Sequence, residues 1–323
     1  MTVLSRRQFV LASVTMVAGA TVARAAEYPA RPITVIIPYA AGGAGDTIIR
    51  LLQPAMERDL GQSLIIDSRA GGGGTIGAQA VAKAAPDGYT LMLGATNNFV
   101  INQFLFPKVS FDPLAAFALI TKVADVPSVL YASLSAPATL AAFVAAAKAN
   151  PGKFSYASPS VGTTPHIAVE RLKQMTGIDL VHIPYRGAPP AMQALMANEV
   201  ELYLAGCGVG RNQVEAGKVR ALAVASEQRV PNIPLPTADE SGVPGYVTAN
   251  WWGLAAPNST PQPVVDRIRR AVVSALAEKT VRERLDLLGF LPGGNTSQKF
   301  LDESRVEAKG WEETIARGKL VID

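Results

Sequence analysis

The chain has 323 residues, a formal net charge of +4, two histidines and one cysteine. That length accommodates two cores of about 100 to 200 residues each, while His166, His182 and Cys207 are too few for a protein-held zinc cluster or an internal disulfide. Arg6, Arg7 and Arg24 precede the first acid, and without them the formal charge falls to +1, so composition gives no nucleic-acid footprint.

Residues 1–25 read as a cleaved signal peptide. They carry those three arginines, an apolar stretch from Phe9 to Ala20, and Ala23-Arg24-Ala25 as an A-x-A cleavage site. Ser5-Arg6-Arg7-Gln8-Phe9 resembles the twin-arginine export signal, although Val10 and Leu11 depart from its usual continuation. An ordinary secretory leader fits the same residues, and either route exports the chain. Ala26 after the cleavage site leaves no cysteine for a lipid anchor, and no later apolar run approaches the ~18 residues of a membrane span. The expected product is a monomer in the periplasm.

The exported part alternates strands and helices. Ile33–Tyr39 is a β-branched run, followed by a glycine loop and a helix from Thr47 to Leu60 that Gly61 ends. Ser63–Asp67 is a second strand, Thr75–Ala85 a helix and Tyr89–Leu93 a third strand. This order predicts a parallel sheet covered by helices. A second α/β unit begins after Ala124, with strands at Ser128–Ser133, Phe154–Ala157, Leu180–Pro184, Glu201–Leu204 and Arg220–Val224. Its helices are expected at Leu140–Ala149, Pro165–Thr176 and Pro189–Ala197. The chain then returns through Trp251–Ala255 to a helix begun by Ser259-Thr-Pro261, with Val265, Ile268, Val272 and Leu276 on one face. Residues 26–124 with 250–323 form one expected lobe and residues 125–249 the other, with crossings near Ala124 and Asn250 as a hinge.

Two segments share one local grammar: Pro38-Tyr-Ala-Ala-Gly-Gly-Ala-Gly-Asp46 and Ser158-Pro-Ser-Val-Gly-Thr-Thr-Pro-His166. Each is a polar, glycine-bearing loop between a strand and a helix, where unpaired N–H groups and the positive end of the helix dipole can hold an anion. Gly42 and Gly43 bare the backbone of the first loop, and Asp46 or Thr47 can cap its helix. Ser158, Ser160, Thr163, Thr164 and His166 supply side chains in the second. Either loop also fits a plain strand-to-helix turn.

A dozen ordered motifs, among them Pro38–Asp46, Ala85-Pro-Asp-Gly-Tyr89, Ile183-Pro-Tyr-Arg-Gly187, Ala216-Gly-Lys-x-Arg-Ala-Leu-Ala223 and Trp252-Gly-Leu-x-Ala-Pro257, resemble the Bug family. These are the periplasmic solute-binding proteins of tripartite tricarboxylate transporters, and the likeness runs through the whole exported chain. It implies a two-lobed periplasmic-binding-protein fold of type II character, α/β in each lobe, that closes on a small di- or tricarboxylate or an aromatic carboxylate. It also implies delivery to a membrane transporter or to a periplasmic sensor, with no cofactor and no catalysis. In the family the second loop meets the ligand, which favours Gly162, Thr163 and Thr164.

The candidate ligand residues are Tyr39, Gly42, Gly43, Asp46, Asn97, Asn98, Ser158, Ser160, Gly162, Thr163, Thr164, His166, Arg186 and Ala205. His166 suits a structural role equally well, and Arg186 suits a solvated loop. Tyr39, Phe99, Tyr203 and Trp252 can wall a cleft or belong to the core. Relatives often carry Phe-Asp-Asn where this chain has Leu204-Ala205-Gly206, so the carboxylate that meets an amino acid's ammonium group in some of them has no counterpart here. The main competing class is an exported hydrolase acting through Ser160 or Cys207, without a Gly-x-Ser-x-Gly elbow. Gly72-x-Gly74-x-x-Gly77 matches a dinucleotide fingerprint in form, but it follows the second strand, and no acid ends a strand about twenty residues on.

Overall fold

The computed structural model describes residues 28–106, 111–248, 250–318 and 320; the expected signal peptide, with its twin-arginine-like segment, lies outside them. The first unit runs β1 (Ile33–Ile37), α1 (Ala44–Leu60), β2 (Leu64–Ser68), α2 (Thr75–Ala82) and β3 (Thr90–Ala95). Short helices α3 (Thr96–Val100), α4 (Asn102–Leu105) and α5 (Pro113–Ala116) lead to β4 (Phe117–Asp125). The second unit comprises β5 (Ser128–Ala132), α6 (Leu140–Ala149), β6 (Phe154–Ser158), α7 (Thr164–Thr176), β7 (Leu180–Pro184), α8 (Ala188–Met196), β8 (Leu202–Gly206), α9 (Cys207–Glu215) and β9 (Arg220–Val224). The chain closes with β10 (Trp251–Pro257), α10 (Gln262–Ala277), α11 (Lys279–Leu288), β11 (Leu291–Pro292) and α12 (Ser297–Gly318).

The strands form two separate sheets, ordered β11-β4-β10-β3-β1-β2 and β7-β6-β8-β5-β9. In the first, β1 pairs parallel to β2 and β3, and β10 runs antiparallel between β3 and β4. In the second, β6 pairs parallel to β7 and β8, and β5 runs antiparallel between β8 and β9. Each sheet thus joins a parallel β-α-β unit to an antiparallel strand that is the first one the chain enters after changing sheets, and in the first sheet the short β11 also runs antiparallel, against β4. The outward and return crossings touch, Val126 N–H donating to the Asn250 carbonyl at 2.7 Å.

Local chemistry explains these elements. In β1, four of five residues are β-branched Ile or Val, and all four of these are buried, as befits a strand inside a covered parallel sheet. Helix α1 buries Ile48, Ile49, Leu52, Met56 and Leu60 on one side and ends at Gly61, which takes φ 68° and returns its N–H to the Glu57 carbonyl. The expected face of α10 is observed, with Val265, Ile268, Val272 and Leu276 all buried. Trp251 anchors the first lobe, stacked on Phe99 at 5.4 Å and edge-on to Phe300 of α12 at 5.1 Å. Helix α12 also reaches the second lobe, where Arg171 lies 6.0 Å from the Trp311 ring.

Three sequence expectations are corrected. Helix α1 begins at Ala44 rather than Thr47, which moves Asp46 from cap to first turn. Helix α2 stops at Ala82 instead of Ala85. Strand β8 extends to Gly206 rather than Leu204, and the residues after it form helix α9, for which no helix was expected.

Candidate functional site in the cleft between the lobes

The carboxyl ends of β1, β3, β6 and β8 all open on one cleft of about 410 Å³ between the sheets, the position where α/β folds bind ligands. Helix α1 aims its N-terminus at this cleft from the first lobe, and α7 and α8 do so from the second: Gly43, Ala44 and Gly45, Thr163 and Thr164, and Gly187 and Ala188 all line it. The first turn of each helix has N–H groups with no carbonyl partner inside the helix, and three converging dipoles make the space attractive to an anion. Between these ends the lining is mostly apolar or small, with Tyr39, Tyr203, Trp252, Ala205 and Val209 among it. Its ionisable carboxylate and guanidinium groups are Asp46 and Arg186.

Asp46 is largely spoken for. Its carboxylate accepts from Gly42 N–H at 3.2 Å and from Arg50 Nε at 2.8 Å, one turn along α1. The loop therefore fastens itself with the carboxylate that the sequence suggested as a cap. Gly42 sits at φ +82°, a conformation suited to glycine. Gly45 is required for another reason: a Cβ there would lie 2.2 Å from Cζ3 of Trp252, so only a bare backbone lets α1 approach that ring. Trp252 in turn meets Tyr39 edge-on at 5.3 Å.

The Tyr39 hydroxyl stands 2.6 Å from Asn97 Oδ1 and 2.8 Å from Asn98 Oδ1. Asn97 donates to the Gly73 carbonyl at 2.7 Å, and Asn98 accepts from Ala95 N–H at 2.9 Å while donating to the Gly74 carbonyl. Asn102, unassigned in the sequence reading, also donates to Gly73. These amides hold the glycine turn against the end of β1. Asn97 Oδ1 accepts a further bond of 3.3 Å from Thr164 Oγ1, a direct link from lobe to lobe.

The second loop is braced from behind. His166, His182 and Tyr156 stack, the two imidazoles 4.0 Å apart and 16° from parallel. His166 Nδ1 accepts from Gly162 N–H at 3.1 Å, and His182 Nε2 lies 2.7 Å from Ser158 Oγ, which donates to the Ser160 carbonyl. Thr163 Oγ1 donates to the same carbonyl at 2.8 Å. Burial lowers both imidazoles, His166 to about 4 and His182 to about 3, with the neighbouring imidazole adding to the effect at His182. Both rings are neutral at physiological pH.

Of the residues singled out in the sequence, Tyr39, Gly43, Asp46, Asn97, Ser160, Thr163, Thr164, Arg186 and Ala205 line the cleft. Gly42, Asn98, Ser158, Gly162 and His166 stand outside its lining: the bonds above turn them toward loop and core. Of the proposed aromatic walls, Phe99 belongs wholly to the first-lobe core. Gly71, Gly73 and Gly74, Tyr185, Val209 and Asn250 line the cleft without having been assigned to it.

Of the two hydrolase candidates, Ser160 lines the cleft and Cys207 does not. Burial raises the Cys207 thiol to about 12, and it donates to the Leu288 and Gly289 carbonyls. The serine that meets a histidine is not Ser160 but Ser158, 2.7 Å from His182 Nε2, and it is fully buried.

Two α/β lobes clasping a cleft at their strand ends, with helix N-termini turned inward from both sides, define a periplasmic-binding-protein architecture. Residues 48–318 match the tripartite tricarboxylate transporter family receptor model. An R. palustris protein solved with adipate is 32% identical and superposes with a TM-score of 0.86, covering 91% of this chain and 99% of that one. MatC from Rhodopseudomonas palustris, solved with malate, is 32% identical with a TM-score of 0.85 over 89% of this chain and 100% of its own. BugT of Bordetella pertussis is 33% identical over 82% of both chains. The chain belongs to the Bug family of tripartite tricarboxylate transporter receptors.

Proposed function

We propose that the chain is a periplasmic receptor that captures a small carboxylate between its lobes by hinge closure and passes it to a tripartite tricarboxylate transporter. In this reading residues 26–124 with 250–323 move against residues 125–249, export uses the twin-arginine-like leader, and the receptor acts as a monomer. The observation that carries it is the convergence of helix N-termini from opposite lobes on one cleft. Charge-assisted hydrogen bonds contribute about 1.5 to 3 kcal/mol each, and a micromolar ligand needs about −8 kcal/mol net. Donors on one lobe fall short of this once association is offset, whereas donors on both can reach it.

The site holds a carboxylate better than an ammonium group. The one carboxylate in the lining, Asp46, is already bonded to Arg50 and Gly42, and Ala205 presents no acceptor side chain. Malate should therefore bind more tightly than aspartate, which carries an ammonium group in place of the hydroxyl. Calorimetry with the two ligands checks this, and tighter aspartate binding would overturn the exclusion. Gly43→Leu is the companion experiment. A Cβ at Gly43 meets nothing nearer than the Ala40 carbonyl oxygen at 3.7 Å, and its φ of −84° accepts a side chain, so the fold tolerates the change while the cleft fills. The expected result is lost binding at an unchanged thermal midpoint; retained affinity overturns the placement of the ligand at this loop.

A further inference from the structure

Four tyrosines are fully buried, and three have partners for their hydroxyls. Tyr131 donates to the Cys207 carbonyl at 2.8 Å, Tyr156 to Glu170 at 2.6 Å and Tyr246 to the Ala168 carbonyl at 2.9 Å. Tyr203, 1% exposed, is the exception: among the described residues no hydrogen bond satisfies its hydroxyl, and burial alone raises its pKa. It is also the one of the four that lines the cleft. Its hydroxyl is not one of the fully enclosed side-chain atoms left without a partner, so that oxygen still touches the open cleft, and a ligand that covers it without offering an acceptor costs about 1 to 3 kcal/mol.

The strand explains where this hydroxyl goes. Side chains alternate along β8, so Tyr203 and Ala205 share the face that meets the cleft, while Leu202 and Leu204 enter the second-lobe core. Ala205 has no polar atom in its side chain, which leaves Tyr203 as the hydrogen-bonding group of that face. Across the cleft Trp252 is 7% exposed, and its indole N–H likewise has no partner among the described residues. Both groups are neutral. An indole N–H can only donate, and a phenol is the better donor to an anionic oxygen.

We propose that Tyr203 is a specificity-determining residue, its hydroxyl donating to a second oxygen function of the ligand, distinct from the carboxylate held at the helix N-termini. This rests on the carboxylate reading above and sharpens it. The preferred ligand carries a carboxylate at one end and a further carboxylate, hydroxyl or keto oxygen within the span of the cleft, in preference to a plain hydrocarbon tail. Tyr203 selects that oxygen because a ligand without it leaves the phenol buried and unpaired.

Tyr203→Phe removes one oxygen and keeps the ring in its core contacts. Calorimetry on wild type and variant uses two pairs matched in carbon number, adipate with hexanoate and malate with butyrate. Wild type should prefer the member with the extra oxygen in at least one pair. The variant should lose about 10-fold of that preference, the effect of one hydrogen bond to an ionised or polar acceptor, with affinity for the plain monocarboxylate unchanged. An unchanged preference, or equal loss for both members, overturns the role of Tyr203 and leaves the carboxylate reading standing. No binding of any of the four to wild type overturns the carboxylate reading itself. Thermal midpoints of both proteins establish that the variant is folded.

Discussion

The two loops that face each other across the cleft begin with the same grammar and are held by opposite means. The first, from Pro38 to Asp46, is a backbone structure: a glycine at positive φ, a self-fastening bond from Gly42 to Asp46, and a helix end pressed against Trp252 through the bare Cα of Gly45. The second, from Ser158 to His166, is a side-chain structure: two stacked neutral imidazoles and a serine tie its carbonyls and amides to the sheet beneath. A loop made of backbone can be shaped by excluded volume, whereas one made of polar side chains can be shaped by protonation. The two lobes should therefore fail under different insults.

The largest expected effect tests the packing of the first loop. Gly45→Val places carbon where the Trp252 ring already lies, with contacts as short as 2.2 Å for the Cβ alone. Overpacking of this kind should destabilise by about 3 kcal/mol and displace Trp252 from the cleft wall. Urea unfolding followed by tryptophan fluorescence reads both, and an unchanged midpoint would remove Gly45 from the account.

Acid tests the second loop. The His166 ring titrates near 6.5 when unfolded and near 4 when folded, because burial disfavours its cation. Above pH 6.5 both states are neutral and the ring contributes nothing to pH dependence. As pH falls below 6.5 the unfolded chain binds a proton that the folded chain refuses. Stability then drops by up to about 1.4 kcal/mol per pH unit until pH 4, where the loss levels off. His182 acts in the same direction. Chemical denaturation between pH 7 and pH 5 should show a loss of about 2 kcal/mol from His166 that is smaller in His166→Gln. An equal slope in that variant would place the acid sensitivity elsewhere.

Asp46→Asn gives the smallest expected change. It removes a charge that favours the start of α1 and weakens a pair with Arg50, which is half exposed, while an amide oxygen can still accept from Gly42. The loss should be about 1 kcal/mol or less and should leave the acid response of the other loop untouched. A loss above that in a urea titration would mean that the carboxylate braces more than its own turn.

The sequence disclosed much of this design. Strands such as Ile33–Ile37, and the glycine that stops α1, are local signals, and local signals survive into the fold because burial and backbone conformation agree with them. Strand β4 was missed: Thr121 and Lys122 interrupt its apolar pattern, and only its pairing with β10 and β11 in the folded chain makes it a strand. Helix α9 was missed because Cys207-Gly-Val-Gly210 is poor in helix formers; Tyr131, packed where a Cβ on Gly210 would lie, shows that tertiary contact decides that segment. In the cleft, the strand-end loops were legible, but not which of their residues face inward. His166 and Ser158 looked like donors to a ligand and turned out to be spent on their own loop, since a hydrogen bond made 24 residues away, such as Ser158 to His182, leaves no trace in spacing.

The bond from Thr164 to Asn97 joins the lobes at the cleft lining itself and is long at 3.3 Å, while Cys207 and Arg211 of α9 bond across to the Leu287, Leu288 and Gly289 carbonyls outside that lining. A neutral bond contributes about 1 kcal/mol net, roughly a fivefold shift in population. Swinging a two-state equilibrium from 1:99 to 99:1 takes about 5.5 kcal/mol. A bond of that strength would lean the empty cleft toward closure without closing it. In the hinge closure proposed above, cargo would provide the rest of the bias, and the closed outline would report occupancy to whatever reads it.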